Sequence, residues 1–156
     1  MKRFLIIFSF LFLLVSYGNT QRKMDNIELS QLLQIVEQSD FFLFRSVVFK
    51  LGYFFTDSSK NIEGRMTYEL KQDGINGDKL WVVEYNNKLE GMTFFTFSKK
   101  LSDKFKKQLK QKKFVAGEKK GTKEEFKRNT ILVLTDAGSN EGEAKVYEFS
   151  FIDSGI

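Results

Sequence analysis

The spacing of hydrophobic positions changes several times along the chain, and each change marks an element. Phe4 to Val15 is apolar except for Ser9. Leu29, Leu32, Leu33 and Val36 then fall at i, i+3, i+4 and i+7, which is one face of a helix. Asn26 is the expected N-cap, and the helix should stop near Ser39. The stretch 41–55 is almost solid hydrophobe, yet it is too short to span a bilayer and holds Arg45 and Lys50. Asp40 is a good N-cap for it, and Gly52 suits the left-handed position that ends a helix. Phe41, Phe44, Val48 and Leu51 share a face. The pattern therefore predicts a helix over 40–51, buried on most of its surface, and a short strand over 53–56. One long strand is the rival, since Val and Phe favour strands, but the caps favour the helix.

Period-two alternation follows. Met66, Tyr68 and Leu70 alternate with Thr67, Glu69 and Lys71; Trp81, Val83 and Tyr85 alternate with Leu80, Val82 and Glu84. Turn chemistry fills 73–78 and 86–91, and 92–98 reads as another strand. Leu101, Phe105 and Leu109 give a narrow helical stripe with Ser102 or Asp103 as its cap. Beyond it, 114–116 reads as a short strand, 118–125 as a charged loop, 126–135 as one strong strand, 136–143 as a turn and 146–151 as a last strand. The expected architecture is α+β: a single domain with an antiparallel sheet of about six to seven strands. Two N-terminal helices and one central basic helix pack on one face. The halves echo each other, which suggests an αβββ pseudo-repeat.

The N-terminal run changes the picture of the whole chain. Lys2 and Arg3 precede the apolar stretch, and Ser16 and Gly18 are small residues before Asn19. That is the grammar of a secretory signal peptide over 1–18, cleaved near Gly18-Asn19. A loose lead over 19–25 and one domain over 26–156 follow. The expected location is periplasmic or extracellular, with no transmembrane segment in the mature chain.

Composition then removes chemistries. The chain has no Cys, no His and no Pro. Disulfides, a lipid-anchoring cysteine, Ser-His-Asp and Cys-His catalysis, and His- or thiolate-ligated metal sites are all excluded by residue type. Two turns mimic calcium loops, but Ile75 and Gly77 in one, and Gly138 in the other, stand where a liganding side chain is needed. Glu69 and Glu84 keep two-carboxylate catalysis formally open, although both read as outward-facing. No nucleophile, base and orienting group converge, so no enzyme, cofactor or metal is expected.

Charge adds the last clue. The full chain holds 25 Lys+Arg and 20 Asp+Glu. From Lys99 to Arg128 there are 13 basic and 4 acidic residues; from Asn129 to Ile156 there are 1 and 5. Lys104, Lys106, Lys107, Lys110, Lys112 and Lys113 make the central helix a candidate surface for anionic lipid or polysaccharide. A solvated helix face is the plainer explanation. Trp81 and Tyr85, with Tyr68, form a candidate aromatic ligand face, for which core packing is the plainer explanation. The leading expectation is a small exported, non-enzymatic protein-binding module, such as an inhibitor, an immunity-type protein or an envelope accessory. A peripheral envelope protein or a small-ligand carrier are the alternatives. Nucleic acid is not an expected partner.

Overall fold

The computed structural model describes residues 27–72, 77–137, 140–141 and 144–155, without the side chains of 140 and 141. The expected signal peptide, the expected lead and the expected Asn26 cap lie outside the described residues, as do most of the 73–78 turn and half of the 136–143 turn. Among those described, no helix is long and apolar enough to cross a membrane.

Two short helices open the domain, α1 (Leu29–Gln38) and α2 (Phe41–Lys50). At the start of α1 the Glu28 N–H donates to Gln31 Oε1 at 2.8 Å. Asp40 caps α2 as expected, its carboxylate accepting from the N–H groups of Phe42 and Leu43 at 2.7 and 3.1 Å. Gly52 has φ of 79°, and its N–H donates to the Phe49 carbonyl, so it ends the helix in the conformation glycine tolerates best. One expectation for α2 fails. Phe41, Phe44 and Val48 are buried, but Phe42 and Phe49 are exposed, so the helix is amphipathic rather than mostly buried.

Four strands follow as a meander: β1 (Tyr53–Lys60), β2 (Met66–Gln72), β3 (Lys79–Tyr85) and β4 (Lys88–Thr96). Next comes α3 (Lys99–Gln111), capped by Ser98, whose Oγ accepts from the Leu101 N–H at 3.2 Å. The cap is therefore one turn earlier than Ser102 or Asp103; Ser102 is buried within the helix. The chain continues through β5 (Val115–Lys120), β6 (Lys123–Arg128) and β7 (Ile131–Asp136). A two-stranded ribbon, β8 (Asn140–Glu141) and β9 (Ala144–Lys145), precedes β10 (Tyr147–Asp153).

Eight of these strands form one antiparallel sheet, ordered β1-β2-β3-β4-β10-β7-β6-β5. The last strand thus lies in the middle, between β4 and β7. The sheet exceeds the expected six to seven strands for two local reasons. The expected strand over 126–135 is a hairpin, broken at Asn129, which takes φ of 53°. The charged loop over 118–125 is instead most of the β5–β6 hairpin, turning at Gly121 with φ of 62°. In addition, Leu89 to Gly91, expected in a turn, belong to β4; the tight turn is Asn86-Asn87, both at positive φ.

The core lies between the helices and one face of the sheet. Phe94 on β4, Phe149 on β10 and Phe105 on α3 meet with ring centroids 5.6 and 5.4 Å apart. Leu80, Val82, Met92, Phe151, Val133 and Phe126 extend this layer across five strands. Helix α1 sits against β10 and β4, α2 against β1, and α3 against β4. The corner between α1 and α2 is pinned to the β3–β4 turn: Leu89 N–H donates to the Ser39 carbonyl and Phe41 N–H to that of Asn87.

Candidate functional site

Strand alternation sends every second side chain to the sheet face that the helices leave bare. The registers place Trp81 opposite Thr93, Thr93 opposite Ser150 and Ser150 opposite Leu134. One row along, Phe95 faces Glu148 and Glu148 faces Asp136; on the other side, Val83, Gly91, Ile152 and Leu132 are aligned. An antiparallel sheet with one wet face normally shows polar residues there. Here Trp81 is 49 % exposed, Leu134 40 % and Ile152 37 %. Trp81 and Phe95 stack edge to face at 4.7 Å. The expectation that Trp81 belongs to the core is therefore corrected: Leu80 and Val82 point inward, and Trp81 points outward. Tyr85 lies on the same bare side, with the Arg65 guanidinium 5.3 Å from its ring centre. Tyr68 parts company with both. It is packed on the helix side, 5.1 Å from the Phe41 ring.

Gly91 sits near the middle of the bare face, beside a bulge at Glu90. Its φ is not positive, and a Cβ there would find its nearest neighbour, the Phe151 carbonyl oxygen, at 4.0 Å. Neither backbone conformation nor internal packing requires glycine, which inside a strand costs about 0.5–1 kcal/mol relative to alanine. Such a glycine often marks the close approach of another chain.

Next to the aromatic patch, over β10, β7, β6 and β5, lies a cavity of about 260 Å³. Glu118, Glu124, Glu125, Asp136 and Glu148 line it with Lys120 and Lys123, above Leu134 and Ser150. Lys123 reaches Asp136 only at 3.9 Å, and Lys120 pairs with Glu118 at 3.1 Å. Glu124 is held by Lys106 of α3 at 3.4 Å. Ser150 donates to Glu148 at 2.9 Å. Asp136 Oδ1 is buried without a hydrogen-bond partner, a condition that costs about 1–3 kcal/mol.

The lysine-rich helix is less uniform than its sequence. Lys106 is half-buried against Glu124, and Lys104 lies 3.9 Å from Glu28. Lys107, Lys110, Lys112 and Lys113 are exposed. The described acids of the C-terminal segment, Asp136, Glu148 and Asp153, make no ion pair with them. Glu69 and Glu84 lie on adjacent strands but on opposite faces of the sheet, so they do not form a carboxylate pair. Among the described residues no group of three or more acidic side chains is arranged to hold a metal ion.

A second polar cluster is internal. Asp78 at the start of β3 is only 1 % exposed, and neither carboxylate oxygen has a hydrogen-bond partner. Burial pushes its carboxyl up to about 6, and the nearby Thr96 hydroxyl offsets part of that rise without reaching good bonding geometry. The Tyr53 hydroxyl is also buried and unpartnered; burial raises its pKa, and the Asp78 charge raises it further. Sequence periodicity gave no sign of this cluster, because Asp78 reads as ordinary turn chemistry.

Compared with known proteins, the chain matches no family model, and no curated protein or solved structure is significantly similar to it.

Proposed function

We propose that this chain is an exported, non-enzymatic binding module that docks another protein on the bare face of its sheet. The observation that carries this reading is the apolar surface of Trp81, Leu134 and Ile152, exposed beside the half-buried Phe95 where a wet sheet face is normally polar. Aromatic residues at the centre with charged residues around them are the anatomy of a protein interface. The absence of His and Cys from the chain fits a binding role. Export rests on the sequence of residues 1–18. We also read the two halves as a duplicated unit, since four sheet strands follow α2, four follow α3, and the fourth strands of each half meet at the centre. The unit would then be αββββ rather than αβββ.

The test is an affinity pull-down from the source cell's envelope and medium with the mature wild-type chain, Trp81→Ala and Gly91→Arg. A partner held by the wild type and lost by both variants, with unchanged circular dichroism, supports the reading. A partner held equally by all three overturns it.

A second reading is favoured by the exposed ammonium groups of Lys107, Lys110, Lys112 and Lys113. They would hold the protein electrostatically on an anionic surface. Sedimentation with anionic vesicles tests it, and failure to sediment at low salt removes it. A small-ligand carrier is the weakest alternative, because Trp81 stands on an open sheet rather than inside an enclosed pocket.

A further inference from the structure

We infer that helix α2 seats this protein on an anionic lipid bilayer, with Phe42 and Phe49 entering the headgroup region and Arg45 and Lys50 meeting the lipid phosphates. The inference rests on the electrostatic reading given second above, and it names lipid as the anionic surface.

Exposure is the first ground. Phe42 is 63 % exposed and Phe49 43 %. Seven residues apart, they stand two turns apart on one flank of α2, about 10 Å from each other along its axis. Phe41, Phe44 and Val48 already hold the helix on the core, so the fold has no need of the two outer rings. The Phe49 ring meets the Phe55 ring edge-on at 5.4 Å, a contact that steadies it without covering it. Position is the second ground. Helix α2 packs on β1, the outermost strand at one end of the sheet. Its exposed flank therefore lies at the rim of the domain, where a flat surface can reach it.

Charge is the third ground, and it selects the occupant. Helix α2 contains no acidic residue. Arg45 and Lys50 are exposed on it and form no ion pair among the described residues. The Arg45 guanidinium sits 5.6 Å from the Phe49 ring centre and 5.8 Å from that of Phe55, so cation and aromatic ring are presented together. Asp40, the nearest acid in sequence, is engaged in capping the helix. The three helices hold eight cationic and two acidic residues. Both acids are already paired, Glu37 with Arg128 and Asp103 with Lys99, each at 2.5 Å. An anionic polysaccharide would satisfy the cations and leave the rings in water. An anionic bilayer satisfies both, since rings enter the acyl boundary while cations stay among the headgroups. The Tyr68, Val82 and Met92 row lies under the helices, whereas Trp81 stands on the other side of the sheet. A molecule resting on α2 thus keeps its bare face free for a protein partner.

The experiment is sedimentation of the mature chain with vesicles of phosphatidylglycerol and phosphatidylcholine, and with phosphatidylcholine alone. Wild type should bind the anionic vesicles and not the neutral ones. Phe42→Ser/Phe49→Ser, with unchanged circular dichroism, should bind at least about tenfold more weakly, and Arg45→Gln/Lys50→Gln at least about fivefold more weakly. Equal binding by wild type and the Phe42→Ser/Phe49→Ser variant overturns the inference and leaves the electrostatic reading standing. Failure of wild type to sediment at low salt removes that reading and the inference with it. A protein partner captured through Phe42 and Phe49 without vesicle binding does the same. Fluorescence gives a readout that does not depend on the serine variant folding. Trp81 is the single tryptophan of the chain, and its emission should stay unshifted on anionic vesicles. In Trp81→Phe/Phe49→Trp the emission should move to the blue and be quenched by brominated lipid. A shift of Trp81 in the wild type, or none in the Phe49→Trp protein, overturns the inference.

Discussion

Replacing Asp78 by asparagine should change how stability depends on pH, and the size of the change follows from where Asp78 sits. Its carboxyl titrates near 6 in the folded protein against an ordinary value of 3.8. The unfolded chain therefore gives up this proton first as pH rises. Between those values the native state binds more protons than the unfolded one, so stability falls with rising pH. A shift of about two pH units corresponds to about 3 kcal/mol lost once pH is well above 6. Asp78 is almost fully buried, so solvent does little to screen this cost. Asparagine has the same shape and no charge. Its amide donors also need partners in the same site, a cost of about 1 kcal/mol or more, leaving a net gain of about 1–2 kcal/mol near pH 8. The slope is cleaner than the gain, because the amide cost does not vary with pH. Urea unfolding of both proteins from about pH 4 to 8 gives the difference curve, in which all other titrations cancel. Wild-type stability minus variant stability should fall by about 2–3 kcal/mol across that range. A flat difference, or one that rises with pH, would refute the reasoning.

Other substitutions test the remaining structure. Phe149→Ala removes a ring packed on Phe105 and should cost about 3–5 kcal/mol by chemical denaturation, whereas Trp81→Ala, half exposed, should cost under about half of that. Asp40→Ala deletes the cap of α2 and should lower stability by about 1 kcal/mol. Arg128→Ala removes three contacts at once, to Glu37 at 2.5 Å, the Lys112 carbonyl at 3.2 Å and the Phe114 ring at 4.6 Å, and should cost about 1–2 kcal/mol. Lys106→Met should lose less than about 1 kcal/mol, since its pair with Glu124 is partly solvated.

The parts of the fold legible in the sequence are those whose signal is local. Asp40 and Gly52 bracket α2 because capping needs only a carboxylate at one end and a left-handed residue at the other. Met66, Leu70, Phe94 and Phe149 fall in strands where alternation placed them. The β5–β6 hairpin was not legible. Every residue of β5 is exposed, so no core face imposes a period on its sequence. The break at Asn129 was hidden because the turn is only two residues long, with Arg128 paired directly to Ile131. The candidate site was half legible. Alternation separates Leu80 from Trp81, but both faces of β3 are apolar, and only the position of the helices shows which is covered. The cavity joins residues from 118 to 150 through three registers, a relation that no spacing along the chain expresses.

The central position of β10 has a consequence for how the chain reaches this structure. Strands β1 to β4 can zip as a local meander while the rest is still being synthesised, and so can β5 to β7. Each then ends in an unpaired apolar edge, β4 carrying Met92 and Phe94, and β7 carrying Ile131 and Val133. Both edges wait for β10, the last of the ten strands to leave the ribosome. Until it inserts, nascent chains present two sticky templates that can pair with each other between molecules. Chains halted before residue 147 should be caught by chaperones or aggregate, and prompt addition of one seven-residue strand converts them into the finished sheet.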